Sequence, residues 1–234
     1  MQYPLVSLVI PCYNEKDRVD RMFHELDIFL KAWQSRVEIL IIDDGSTDGT
    51  SDAICKHKQF KPDCMRLIQQ ANTGKGGALK LGVQRASGEF ILTLDADMAT
   101  SPMELFEWLS LKKQFSKNEL WIGSREINKK IVHDKKYREF IGHVFNAVIR
   151  WLSKLNIKDT QCGFKLYPAH VGKELFNELK TLGWAHDVEI LVSARKKKIP
   201  VIEMPVRWEA VDGSKIRIVQ DSWNMFWEVV RIGR

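Results

Sequence analysis

Residues Gly88–Thr100 read GEFILTLDADMAT, and this stretch decides the fold. Phe90–Leu94 is an apolar, partly β-branched run, which suits a buried strand. It stops at Asp95-Ala96-Asp97, and Pro102 then opens a helix. Two carboxylates one residue apart at the carboxyl end of a buried strand are costly unless a positive charge meets them. In open α/β sheets that edge is where ligands bind. A hard divalent cation such as Mg²⁺ takes one or two carboxylates together with substrate phosphates. Two solvated turn aspartates would give the same pattern, so the rest of the chain has to decide.

Upstream, the same arrangement recurs. Pro4–Ile10 is a strand that runs into Pro11-Cys12-Tyr13-Asn14-Glu15, where Asn14 can cap a helix. Val19, Met22, Phe23, Leu26, Phe29, Leu30 and Trp33 mark one face of that helix. Val37–Ile42 is a second apolar strand, ending in Asp43-Asp44-Gly45-Ser46. Thr47-Asp48-Gly49-Thr50 supplies turn and capping residues for another helix. Arg66–Gln69 is a short third strand, and Asn72–Gly77 opens a helix through Ala86. The order β-α-β-α-β-α-β, with apolar rather than alternating strands, predicts an α/β fold. Its sheet is mainly parallel and covered by helices on both faces. Tyr13/Asn14/Glu15, Asp43/Asp44 and Asp95/Asp97 then lie along one edge.

Gly74–Gly77 is neither G-x-G-x-x-G nor a P-loop. It reads equally well as a plain helix start with permissive glycines and as backbone N–H groups, with Lys75, facing a diphosphate.

The second half is less regular. Glu119–Ser124 is a strand leading to Arg125. Asn128–Arg138 is a basic loop, either a solvated surface or a lid carrying cations to an anionic acceptor. Apolar residues from Tyr137 to Leu155 recur at helical spacing. Asp159–Tyr167 (DTQCGFKLY) is a loop entering a short strand, Ala185–Arg195 a helix starting near Asp187, and Val201–Trp208 a further strand. Ile218–Ile232 is an amphipathic helix with Trp223, Phe226, Trp227 and Val230 along one side. It suits a bilayer interface or the core equally.

The chain of 234 residues is long enough for one large core. Its apolar content of 44% and charged content of 28% are those of a folded protein. No run approaches the roughly 20 apolar residues of a membrane span, and Met1–Pro11 lacks the features of a signal peptide. Cys12, Cys55, Cys64 and Cys162 are scattered, which reads as reduced thiols in a cytosolic protein. A net charge of +6 favours an anionic partner. The stacked aromatics on a basic face that mark a nucleic-acid binder are not in the pattern. No histidine sits at a metal-ligand spacing with another ligand type.

Together VIPCYNE, IIDDGSTDGT, NTGKGGAL and LDAD resemble the family 2 glycosyltransferases, inverting enzymes with the GT-A fold. DTQCGFKL, HDVEIL and Gly213-Ser214-Lys215 narrow the similarity to the polyprenyl-phosphate glycosyltransferases, and most closely to the dolichyl-phosphate β-glucosyltransferases. The resemblance covers nearly the whole chain as a single domain. Residues 1–100 would form the nucleotide-sugar half, 101–217 the acceptor half and 218–234 the terminal helix. It implies that Pro11, Tyr13, Glu15 and Asp44 hold the base and ribose, with Lys75 near the nucleotide. Asp95, Ala96 and Asp97 would face the sugar diphosphate, and Asp95 and Asp97 would bind Mg²⁺ or Mn²⁺. Arg125, Arg138, Ser214 and Lys215 would face the phosphates of donor and acceptor, and Gln161, Lys165 and Asp187 would line the transfer site. Asp97, Asp187 and Arg125 would carry the chemistry.

Two features depart from the pattern. Related mannosyltransferases have a glutamine two positions after the second aspartate, where this chain has Ala99. The eukaryotic glucosyltransferases carry an N-terminal anchor, and without one the enzyme would sit peripherally on the cytoplasmic face of a membrane. The expected donor is UDP-glucose, with GDP-mannose the alternative, and the expected acceptor a polyprenyl phosphate. Such a phosphate is already anionic at neutral pH. A soluble hydroxyl acceptor would instead require a base, with Asp187 the candidate.

Overall fold

The computed structural model describes residues 5–33, 35–112, 114–127, 132–133, 155–209 and 227–232. In chain order the strands are β1 (Val6–Cys12), β2 (Val37–Asp43), β3 (Met65–Gln69), β4 (Phe90–Thr93), β5 (Leu120–Ser124), β6 (Val132–His133), β7 (Lys165–Pro168), β8 (Val201–Pro205) and β9 (Trp208–Glu209). The helices are α1 (Val19–Ala32), α2 (Thr50–Cys55), α3 (Lys75–Arg85), α4 (Glu104–Lys112), α5 (Ala169–Glu178) and α6 (His186–Lys196). Seven strands form one sheet in the order β3-β2-β1-β4-β7-β5-β8, and β6 pairs with β9 apart from it.

Side-chain alternation along each strand divides the core between the two faces. Leu8, Ile10, Ile39 and Ile41 pack with Phe23, Leu26 and Phe29 of α1 and Trp108 of α4. Val9, Leu40 and Ile42 pack on the other face with Val83 of α3, Phe176 of α5 and Leu191 of α6. Each such side chain, fully buried, stabilises the fold by about 1.5–3 kcal/mol. This is the sheet covered on both faces that the apolar strands imply.

One strand runs against the rest. β7 lies antiparallel between β4 and β5, with Thr93 opposite Lys165 and Phe90 opposite Pro168. The loop entering β7 therefore lies beside the exit of β4. The Thr93 hydroxyl donates to the Gly163 carbonyl at 2.9 Å across that junction.

Asn14 does not cap a helix. It adopts a left-handed conformation (φ 55°), and its Oδ1 accepts the Thr47 N–H at 2.7 Å. Residues 227–232 are helical and pack on the core through Val229, fully buried, and Ile232. Trp227 is 49% exposed, so the inward face runs through Val229 rather than through Trp227 and Val230. The basic loop Asn128–Arg138, apart from Val132–His133, and the helical pattern from Tyr137 up to Leu155 lie outside the described residues, as do Trp223 and Phe226. No described helix is long and apolar enough to cross a membrane.

Candidate active site

Three strand tips meet at the carboxyl edge of the sheet. The β1 tip is fastened to the turn after β2: the N–H groups of Asn14, Glu15 and Lys16 donate to Ser46 Oγ, Thr50 Oγ1 and Asp48 Oδ2 at 2.8, 2.8 and 3.2 Å. Pro11 lies within β1 opposite Ile42, Tyr13 is 45% exposed, and Glu15 pairs with Arg18 at 2.8 Å. These hydrogen bonds explain why DGSTDGT is rich in short polar side chains.

Asp44 is buried. Its carboxylate accepts the N–H groups of Thr73 and Gly74 at 2.9 and 2.8 Å and Gln70 Nε2 at 2.6 Å. The group that the resemblance assigns to the nucleotide thus fastens the loop leading into α3. The start of α3 is closed as well. Gly76 and Gly77 N–H both donate to the Leu182 carbonyl, at 2.8 and 3.3 Å. A Cβ on Gly76 would stand 2.8 Å from His186 Cβ and 2.9 Å from Leu182 O, so glycine is required for this close approach. Those N–H groups are therefore not presented to a diphosphate, which corrects one of the two readings of Gly74–Gly77. What α3 contributes to the site is the Lys75 side chain.

Lys75 Nζ lies 2.6 Å from Asp95 Oδ1 and 5.6 Å from the centre of the Trp184 ring. Burial alone would lower the pKa of this ammonium, but Asp95 and Asp187 hold it well above its usual value. Asp97 accepts the Ala99 N–H at 3.0 Å. Burial, and then the charge of Asp95, push the Asp97 pKa upward. Two neighbouring hard oxygen donors that repel one another suit a cation of the Mg²⁺ or Mn²⁺ type. Among the described residues no group of three or more ligating side chains converges, so diphosphate and water would supply the other positions. Gly163 abuts this carboxylate: a Cβ there would stand 2.6 Å from Asp95 Oδ2.

Asp95, Ala99, Arg125, Gln161, Gly163 and Trp208 line one cleft. Arg125 binds Asp159 in a fork, Nε to Oδ2 at 2.7 Å and Nη2 to Oδ1 at 3.0 Å, and its guanidinium lies 5.6 Å from the Trp208 ring centre. Burial alone would raise the Asp159 pKa, but Arg125 lowers it. Asp159 also accepts the Gln161 N–H at 3.2 Å, fixing both cleft residues from one carboxylate. Burial pushes the Cys162 thiol up to about 12, so it stays protonated and is no nucleophile.

Lys165 is fully buried and donates to Asp187. It is an internal counter-ion rather than a group open to an acceptor. Burial would raise the Asp187 pKa, but His186, Lys165 and Lys75 bring it down to about 2. His186 is held by Gly183 O at 2.8 Å, which assigns the proton to Nδ1. Its buried Nε2 has no hydrogen-bond partner and lies 3.5 Å from Asp187 Oδ2. Arg138, Ser214 and Lys215 lie outside the described residues.

Residues 7–176 match the family model described as Glycosyl transferase family 2. The chain belongs to this family. The family 2 chain is 37% identical to the dolichyl-phosphate beta-glucosyltransferase of Saccharomyces cerevisiae, over 97% of its own length and 73% of that protein. It is 35% identical to the Dictyostelium discoideum enzyme of the same name, with the same coverage, and 34% identical to the human one, over 98% and 72%. The GT-A fold is shared with solved structures. Glucosyl-3-phosphoglycerate synthase from Mycobacterium tuberculosis, solved with Mn²⁺, UDP and glucosyl-3-phosphoglycerate, superposes at TM-score 0.67 and 16% identity, over 98% of this chain and 78% of that one. Mannosyl-3-phosphoglycerate synthase from Rubrobacter xylanophilus gives 0.68 and 18%, over 98% and 72%.

Sequence reasoning missed Asp159, Gly163 and Trp208 as parts of this family 2 site. The first two stand inside the DTQCGFK motif. An acid and a glycine on either side of Gln161, within one short motif, were the available signals.

Proposed function

We propose that this family 2 glycosyltransferase transfers glucose from UDP-glucose to dolichyl phosphate or a related polyprenyl phosphate, inverting the anomeric carbon. The names of its relatives support the substrates. The observation that carries the mechanism is the engagement of Asp187, the base that a hydroxyl acceptor would need: its Oδ1 accepts the buried Lys165 ammonium. Burial would raise its pKa, but His186 and that ion pair hold it down, which makes it a poor proton acceptor. A phosphate monoester needs no such base, because its second pKa is about 6.

In this reading a phosphate oxygen of the acceptor forms the bond to the anomeric carbon. The bond from that carbon to the donor diphosphate breaks, and UDP leaves with the electron pair. Arg125, oriented by Asp159, offers a fixed cation to the phosphates at the cleft. Tyr13 and Glu15 stand at the base-and-ribose end, and Arg138, Ser214 and Lys215 on the acceptor side. Asp95 and Asp97 would hold Mg²⁺ or Mn²⁺, which when bound supplies charge neutralisation for the leaving diphosphate. The enzyme works at the cytoplasmic face of a membrane, where its lipid acceptor resides.

The test is a panel of nucleotide sugars offered with a short polyprenyl phosphate, reading out the glycolipid. Glucolipid from UDP-glucose, lost on chelation of divalent metal, is the expected result. Transfer only to soluble hydroxyl acceptors overturns the reading.

A further inference from the structure

Lys75 presents a problem that the proposed chemistry leaves open. Its ammonium occupies Asp95 Oδ1 at 2.6 Å, yet Asp95 is one of only two carboxylates read as holding the metal. Lys75 is also the first residue of α3, where a positive side chain is disfavoured by the helix dipole. Its side chain is largely buried, with Trp184 on one side and the charge of Asp187 nearby. A cation kept in so unfavourable a place is held there by the carboxylates it neutralises. A divalent ion taking Asp95 would meet the repulsion of that ammonium at close range.

We infer that Lys75 is an internal stand-in cation that neutralises Asp95 until metal and nucleotide diphosphate arrive together. It then releases Asp95 and turns its charge to the diphosphate. The inference rests on the metal-and-diphosphate reading given above. Its consequence is thermodynamic. Metal alone binds poorly, because the other acids near Lys75 are already taken: Asp187 is engaged by Lys165, and Asp97 would hold the metal. Metal with diphosphate binds well, because Lys75 then has an anion to turn to. Lys75 thereby couples the two ligands, and each tightens the other by the same factor.

The experiment measures free Mn²⁺ by electron paramagnetic resonance, with and without UDP, in the wild-type protein and in Lys75→Met. The wild type is expected to bind Mn²⁺ weakly alone and much more tightly with UDP. Lys75→Met is expected to bind Mn²⁺ alone at least about tenfold more tightly than the wild type, and its enhancement by UDP should shrink by a similar factor. Lys75→Arg, which keeps the charge, should retain weak binding of metal alone. Strong Mn²⁺–UDP binding by the wild type with unchanged Mn²⁺ affinity in Lys75→Met overturns this inference and leaves the metal reading standing. Absence of Mn²⁺ binding by the wild type even with UDP overturns both. Should Lys75→Met not fold, lysine ¹³Cε spectra of the wild type decide the matter, with Lys75 assigned through Lys75→Arg. Its signal moves when Mg²⁺ and UDP are added together, and a stationary signal overturns the inference.

Discussion

Asp159 grips Arg125 at three points, accepting Nε at 2.7 Å, Nη2 at 3.0 Å and the backbone N–H at 3.1 Å. The fork sets the direction in which the guanidinium enters the cleft. Asp159→Asn keeps the shape but cannot accept both side-chain bonds. A small displacement of a group that positions reacting phosphates costs about 10²-fold in rate. Steady-state kinetics should therefore show kcat/KM for the lipid acceptor falling by about that factor, while UDP affinity by calorimetry stays near the wild-type value. Arg125→Lys should do the same, since lysine has no fork to offer.

Gly163→Ala tests the packing of the Asp95 carboxylate. The added methyl group would stand 2.6 Å from Oδ2, so the carboxylate must turn away. The expected result is about tenfold weaker binding of UDP with Mn²⁺, roughly 1.4 kcal/mol, with a near-ultraviolet circular dichroism spectrum like that of the wild type. Unaltered affinity would remove Gly163 from the site.

The Lys165–Asp187 pair lies inside the protein. Lys165→Met leaves the Asp187 charge without its nearest cation, and breaking a buried pair from one side costs about 3–5 kcal/mol. Lys165→Met combined with Asp187→Leu should recover much of that loss. Urea denaturation of the two single variants and the double variant gives the coupling directly.

Acid should expose the same pair. The Asp187 pKa is depressed from 3.8 to about 2, so its contribution to stability is complete above pH 4. It is lost as the pH falls from about 4 to about 2. A shift of this size corresponds to about 2 kcal/mol. Denaturation midpoints of the wild type should decline more steeply over that interval than those of Lys165→Met/Asp187→Leu, and parallel curves would count against the assignment.

Asp97 works the other way. Burial and Asp95 raise its pKa, so its ionised form weakens the ligand-free fold. The penalty builds as the pH rises from the ordinary carboxylate range through the raised value and is constant above it. Asp97→Asn should raise the melting temperature of the ligand-free protein while lowering turnover by roughly 10³-fold. A variant that melts lower would show that the two carboxylates do not oppose one another.

What could be read from the chain alone were features written in consecutive residues. Ile39–Ile42 and Phe90–Leu92 are unbroken apolar runs, so strands followed from composition, and their acidic tips followed from position. The features that were missed join distant residues. The closure of α3 depends on Leu182, more than a hundred residues beyond Gly76. The role of Asp159 depends on Arg125, and that of Gly163 on Asp95. The Gly76 pattern carries no mark distinguishing a carbonyl from a phosphate as its acceptor, because both take the same N–H bonds. Arg138, Ser214 and Lys215 lie outside the described residues and rest on the resemblance.

The reversed strand has a bearing on how the polypeptide is made. β4 pairs with β1 on one side and waits for β7 on the other, and β5 has both its neighbours, β7 and β8, later in the chain. As the protein emerges from the ribosome, β4 and β5 therefore pass through a period with open hydrogen-bonding edges. Such edges invite association between nascent chains, and they close when Lys165–Pro168 slides between them. Synthesis slowed or halted just before residue 165 should yield aggregates, whereas a stall after β8 should release chains able to complete the sheet.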